Sequence, residues 1–168
     1  MIPELVAGAE ATSPWFEIAQ GRIDEFAAAT EDRQSIHVDP EAAAQGPFGT
    51  TVAHGFLTLS LLVHLWNQVA SFDGFAVALN YGLNRVRFPA PVPAGSRVRA
   101  HFRVEEVDDV PGGVQARVAA TIEREGGEKP VCVAELLFRY LRASGSEPQS
   151  SEGEGSTPPL SSTERPGP

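Results

Sequence analysis

Cysteine and positive charge are both scarce in this 168-residue sequence. Its single cysteine, Cys132, excludes an internal disulfide, which is typical of proteins in a reducing compartment. Lysine and arginine number 13 against 22 acidic residues, and the net charge of -9 disfavours binding to nucleic acid or anionic lipid. The longest apolar run, residues 56–63, is too short to cross a bilayer, and the N-terminus lacks the pattern of a signal peptide. We therefore expect a cytoplasmic protein that binds neither nucleic acid nor membranes.

The motifs of several enzyme classes are also missing. There is no Gly-x-Ser-x-Gly motif of a serine hydrolase, and no glycine-rich motif or P-loop for a nucleotide. The histidines His37, His54, His64 and His101 do not have the spacing of metal ligands, and a lone cysteine disfavours structural zinc. We predict no metal site, and we interpret Cys132 as a small packing residue of a strand.

What is present divides into a folded unit and a polar tail. The hydrophobic fraction of 42% is normal for a globular protein, and the chain is long enough for one domain. Residues 143–168 are mostly Ser, Gly, Pro and Glu, so they cannot bury enough apolar surface to offset the entropy of ordering. We predict a domain over residues 1–142 and a disordered tail over residues 143–168.

The hydrophobic pattern of that domain changes its period along the chain. Residues 22–30 have the spacing of a short amphipathic helix, and a second helix is predicted from near residue 53 to about residue 70. That second helix is apolar nearly all round, as expected of a buried helix, whereas residues 31–51 look irregular. Alternating patterns follow in residues 98–104, 114–122 and 131–140, with one or two more strands in residues 75–88. The order predicts an α+β fold in which a curved antiparallel sheet wraps one long helix.

Asp32 and His37 form the first candidate site. They lie in the predicted irregular stretch just after a helix, where flanking elements can hold reactive groups. An aspartate and a histidine that face one water molecule share general-base and general-acid work near neutral pH. The alternative is that Asp32 caps a turn and His37 is a surface residue, and the spacing alone leaves both interpretations open.

Gly55 forms the second candidate site, at the start of the predicted buried helix. A glycine lets a ligand approach the backbone, and the first turn of a helix has unpaired N–H groups at the positive end of its dipole. The Gly55 N–H is therefore placed to stabilise negative charge on a carbonyl oxygen. The alternative is that Gly55 only permits close packing while His54 forms a local hydrogen bond.

Two runs of the sequence resemble a known family. One is residues 23–62, IDEFAAATEDRQSIHVDPEAAAQGPFGTTVAHGFLTLSLL, and the other is residues 80–100, NYGLNRVRFPAPVPAGSRVRA. Both resemble the MaoC-like dehydratases and (R)-specific enoyl-CoA hydratases, in particular their NodN-like branch. The resemblance implies a hot-dog fold, usually as a homodimer, and reversible hydration of a 2-enoyl-CoA to a (R)-3-hydroxyacyl-CoA. It implies no cofactor apart from the coenzyme A or acyl-carrier phosphopantetheine that the substrate carries.

The resemblance also implies residue roles. The catalytic pair of the family falls on Asp32 and His37, and the glycine whose N–H polarises the thioester carbonyl falls on Gly55. Gln34 and Phe56 are the other predicted substrate-binding residues.

The sequence departs from the common pattern of the family at two places. Glu31 stands where the family usually has glycine, and Gln34-Ser35 replaces the usual Asn-Pro. Both changes leave the pair intact and put the rate and the acyl-chain specificity in doubt.

Two alternatives to hydration use the same fold. Hot-dog thioesterases typically rely on a carboxylate of the central helix, and residues 56–63 contain none. The other alternative is a module that binds an acyl thioester without turnover.

Overall fold

The computed structural model describes residues 5–143 of the chain. Its elements in chain order are β1 (Glu10–Thr12), β2 (Phe16–Ile18), α1 (Gln20–Thr30), α2 (Ser35–Val38), α3 (Pro40–Ala44), α4 (Gly55–Asn67), β3 (Val77–Arg87), β4 (Ser96–Val110), β5 (Gly113–Arg124) and β6 (Cys132–Leu141). From residue 144 onward, the predicted disordered tail lies outside the described residues. No helix in the described part is long and apolar enough to cross a membrane.

The strands form one antiparallel sheet with the order β1-β4-β5-β6-β3, and β2 also pairs with β4. In β4, β5 and β6, buried and more exposed residues alternate, because successive side chains of a strand point to opposite faces of the sheet. This alternation confirms the three strands predicted from the sequence. Cys132 is buried at the start of β6, where burial raises the pKa of its thiol to about 11, as expected of a packing residue.

Helix α4 packs on the buried face of this sheet. Its Trp66 ring lies 5.0 Å from Phe102 of β4 and 5.9 Å from Phe138 of β6, measured between ring centroids. The indole N–H of Trp66 also donates a 2.8 Å hydrogen bond to the hydroxyl of Tyr140, whose pKa burial raises. These contacts give the helix-in-sheet arrangement that the sequence predicts.

The helix is shorter and less buried than predicted. It spans Gly55–Asn67 instead of residues 53–70, and its Phe56 is 70% exposed. Leu59 and Val63 are half-buried on the same side. The reason is that the sheet covers one side of the helix, while these three side chains line an open apolar cavity.

Residues 31–51 are also more regular than predicted, because they contain α2 and α3. The Asp39 carboxylate accepts hydrogen bonds from the N–H groups of Glu41 and Ala42, and Pro40 begins α3. Asp39 is therefore an N-cap, and it is followed by a proline at the first helical position. The short strands β1 and β2 were not predicted either.

Strand β3 ends the sheet and is exposed along nearly its whole length. Its exposed apolar side chains are Val77, Leu79, Tyr81 and Leu83. An edge strand with this composition presents unpaired backbone groups and apolar surface together.

Candidate active site

Asp32 lies in the loop between α1 and α2. Helix α1 ends at Thr30, and Glu31 then adopts a left-handed conformation with φ of 60°, which turns the chain. Asp32 is half-buried, and its carboxylate accepts a 3.1 Å hydrogen bond from the amide of the exposed Gln34. The predicted residue Gln34 therefore orients Asp32 in the structure.

His37 is 6% exposed and belongs to the short helix α2. The interpretation of His37 as a surface residue is therefore wrong. Its Nδ1 lies 2.7 Å from the carbonyl oxygen of Val52. Because a carbonyl oxygen only accepts, Nδ1 carries the hydrogen, and the neutral ring retains a lone pair on Nε2.

Hydrogen bonds from neighbouring segments hold His37 in place. The N–H of Val52 donates to the carbonyl of Ile36 at 2.9 Å, which fixes the segment that receives the His37 ring. The Gln20 amide donates to the main-chain carbonyl of His37 at 2.8 Å, and the buried Thr51 hydroxyl donates to the Gln20 carbonyl at 2.5 Å. Helix α1, helix α2 and the segment before α4 thus form one framework.

His54 joins this pair, a contact that was not predicted from the sequence. The potential ligand atoms of Asp32, His37 and His54 all lie within 4.8 Å of one another, the one such group among residues 5–143. The imidazole rings of His37 and His54 are stacked. A metal-independent site stays a prediction.

A cavity of about 380 Å³ adjoins His37 and the start of α4. Among its lining residues are His37, Phe48, Gly55, Thr58, Phe88 and Val92. Gly55 is the first residue of α4, and no side chain of the described residues caps this end of the helix. Its N–H is therefore one of the unpaired donors of a helix N-terminus.

Close packing also favours glycine at this position. A Cβ atom on Gly55 would lie 3.0 to 3.2 Å from ring atoms of Phe88. The packing interpretation and the oxyanion interpretation of Gly55 are thus compatible.

Phe56 lines a second cavity and not the cavity beside His37. Its ring meets Phe88 edge-on at 6.3 Å between centroids. The second cavity is about 410 Å³ and is lined mainly by apolar side chains of α4, β3 and β6. The two phenylalanine rings therefore stand between the cavity beside His37 and the apolar cavity.

Comparisons with known proteins identify the family of this chain. Residues 5–125 match the family described as the MaoC like domain. The 3-hydroxyacyl-thioester dehydratase Z of Mycobacterium tuberculosis (strain ATCC 25618 / H37Rv) is 57% identical over 130 residues, which cover 77% of this chain and 86% of that protein. Nodulation protein N of Rhizobium leguminosarum bv. viciae is 41% identical over 144 residues, which cover 81% of this chain and 86% of that protein.

Solved structures confirm the predicted hot-dog fold. The R-hydratase PhaJ1 from Pseudomonas aeruginosa matches with a TM-score of 0.69 and 26% identity, covering 96% of this chain and 97% of that chain. The (R)-hydratase from A. caviae involved in PHA biosynthesis matches with a TM-score of 0.67 and 26% identity, covering 79% of this chain and 95% of that chain. The family match and the shared fold together confirm the resemblance seen in the sequence: the chain belongs to the MaoC-like domain family.

Proposed function

We propose that this protein hydrates a trans-2-enoyl thioester reversibly to a (R)-3-hydroxyacyl thioester, with Asp32 and His37 as its catalytic pair. The chain is an enzyme of the hydratase and dehydratase class, since a 57% identical relative is a 3-hydroxyacyl-thioester dehydratase. The main support for the mechanism is the buried His37, whose Nδ1–H donates a hydrogen bond to the Val52 carbonyl. The His37 ring also lies close to the Asp32 carboxylate.

The pair activates one water molecule. The lone pair on His37 Nε2 accepts a proton from water while the Asp32 carboxylate orients the same molecule. The water oxygen forms a bond to C3, and the electrons of the C2–C3 double bond move toward the thioester carbonyl. The proton removed from water then returns through the pair to C2 on the same face, so one water is added and no other reactant is consumed.

The start of α4 stabilises the enolate-like charge. The thioester oxygen lies against the Gly55 N–H, where the helix dipole adds to the hydrogen bond. Gly55 and His37 line the same cavity. The negative charge on the thioester oxygen is therefore stabilised in the cavity in which the water molecule is activated. No cofactor takes part apart from the coenzyme A or carrier phosphopantetheine of the substrate.

Phe56 contributes to binding of the acyl chain. Its ring lines the apolar cavity of about 410 Å³ together with Leu59, Leu83 and other apolar side chains. Apolar cavities of this size hold most of the surface of a small ligand. The acyl chain extends past Phe56 into this cavity.

A second copy of the chain covers β3. Strand β3 is an exposed edge of the sheet, and its apolar side chains lie beside the apolar cavity. A homodimer through this strand would bury the backbone edge and the apolar side chains together. We therefore propose that the protein is a homodimer and that its interface lies next to the cavity that binds the acyl chain.

The proposal is tested with Asp32→Asn and His37→Gln. Each variant should add water to a short trans-2-enoyl-CoA with a kcat at least about 100-fold below wild type, because general acid–base catalysis contributes about that much. The controls Asp39→Asn and His64→Gln make the same chemical changes at exposed positions outside the site and should retain wild-type turnover. If both site variants are folded by circular dichroism and turn over like wild type, the pair is wrongly assigned.

A further inference from the structure

His54 lies where the three proposed functional groups meet. It is 2% exposed and directly precedes Gly55. Its ring stacks on His37 with 3.7 Å between centroids and 26° between planes, and Phe26 lies against it at 5.0 Å. Its Nε2 is 2.8 Å from the main-chain carbonyl oxygen of Asp32. One buried side chain therefore contacts both members of the pair and adjoins the oxyanion donor.

The hydrogen bond of His54 fixes its tautomer. Because the Asp32 carbonyl only accepts, the hydrogen of the neutral ring is on Nε2 and the lone pair is on Nδ1. That Nδ1 is buried and has no hydrogen-bond partner within residues 5–143. Unpaired buried acceptors are uncommon and unfavourable, so hydrogen bonding alone does not explain a histidine here. The stacking of its flat ring on His37 explains why a histidine is present.

The backbone of His54 is fixed independently of its ring. Its carbonyl oxygen accepts hydrogen bonds from the N–H of Thr58 at 3.1 Å and from the Thr58 hydroxyl at 3.2 Å. The side chain therefore projects from the rigid first turn of α4, and its two contacts are held relative to Gly55.

We propose that His54 is a positioning residue of the hydratase site, and this inference rests on the function proposed above. Its Nε2–H holds the main chain of Asp32, and its ring sets the plane of the His37 imidazole. The Val52 carbonyl fixes one edge of the His37 ring, but one hydrogen bond does not by itself define the plane of the ring. Stacking removes this rotation and keeps His37 Nε2 directed at the water.

Two substitutions separate the two contacts. His54→Gln retains an N–H donor at the reach of Nε2 and removes the ring, whereas His54→Phe retains the ring and removes the donor. We expect each to lower kcat about 10-fold and His54→Ala to lower it about 100-fold, because small displacements of reacting groups cost rates of that order. The KM for a short enoyl-CoA should change less than about threefold, since binding is not the step affected.

His64 supplies the matched control. It lies on the same helix, is exposed, and hydrogen-bonds to Gln68. His64→Gln and His64→Phe should retain the wild-type kcat. The inference is overturned if folded His54→Ala or His54→Phe retains kcat within twofold of wild type. It is also overturned if Gln, Phe and Ala at position 54 lower kcat equally, because partial rescue by the conservative variants distinguishes positioning from loss of structure.

A measurement on the wild-type protein covers the case in which the variants do not fold. Long-range proton–nitrogen NMR spectra of the four histidines, assigned by substituting His37, His64 and His101 in turn, report the tautomer of each ring. We expect His54 with its hydrogen on Nε2 and His37 with its hydrogen on Nδ1, and the opposite tautomer at His54 would refute the inference. If Asp32→Asn and His37→Gln retain turnover, the proposed function fails whatever these spectra show. If they lose turnover and His54→Ala does not, the positioning role alone fails.

Discussion

At the scale of single residues, Glu31 holds the most unfavourable backbone conformation near the site. It is the C-cap of α1, with φ of 60°, and no other non-glycine residue of the described range has a positive φ. Its carboxylate is 79% exposed and lies 3.3 Å from Arg33, an ion pair that adds little stability in solvent. Glycine adopts this conformation without a steric penalty.

Glu31→Gly should therefore stabilise the protein relative to Glu31→Ala. Both variants lose the same carboxylate, but alanine retains the Cβ that is unfavourable in the left-handed region. We expect the free energy of unfolding of the glycine variant to be about 1 kcal/mol higher, measured by urea denaturation. Equal stability of the two variants would contradict the strain at Glu31.

At the scale of elements, α4 is fixed to β6 by the hydrogen bond between Trp66 and Tyr140. Tyr140→Phe would leave the buried indole N–H without its acceptor, at a cost of about 1 to 3 kcal/mol in the free energy of unfolding. The other tyrosine, Tyr81, is 54% exposed on β3, and Tyr81→Phe is the matched control. Urea unfolding should separate the two variants clearly, and an unchanged midpoint for Tyr140→Phe would mean that this bond does not stabilise the contact.

The same helix argues against the thioesterase alternative. Helix α4 spans GFLTLSLLVHLWN and has no aspartate or glutamate, so the carboxylate on which thioesterases of this fold typically rely is missing. The helix instead offers a glycine N–H at its start, beside the cavity that His37 lines. This arrangement favours addition of water over cleavage of the thioester.

At the scale of the whole molecule, the sequence predicts most clearly the strands in which buried and exposed side chains alternate. Strands β4, β5 and β6 alternate because one face is buried, and they were predicted. Strand β3 was predicted as well, within residues 75–88, although it is exposed along nearly its whole length. Helices α2 and α3 were not predicted, because 4 and 5 residues are too few to form a periodic pattern. The stacking of His37 on His54 depends on a contact between distant segments, which no local spacing encodes.

Assembly of two copies through β3 is testable at this scale. Leu79 is 42% exposed on β3. A lysine at this position would have to bury its charged ammonium group, with loss of its hydration, when two copies pair through β3. Leu79→Lys should raise the dimer dissociation constant about tenfold or more in sedimentation equilibrium, which corresponds to about 1.4 kcal/mol. The control Val133→Lys changes a residue of similar exposure on the interior strand β6 and should leave the dissociation constant unchanged. A wild-type monomer at all concentrations would contradict the dimer.

The stereochemistry of the product formed in heavy water tests directly whether Asp32 and His37 add water to one face of the substrate. Wild-type protein is incubated with a short trans-2-enoyl-CoA in D₂O, and the product is analysed by chiral chromatography and NMR. Water activated and returned by Asp32 and His37 on one face predicts a (R)-3-hydroxyacyl-CoA with one deuterium at C2, on the same face as the new hydroxyl. Release of free coenzyme A without hydration, or a product of the opposite configuration at C3, would contradict the account.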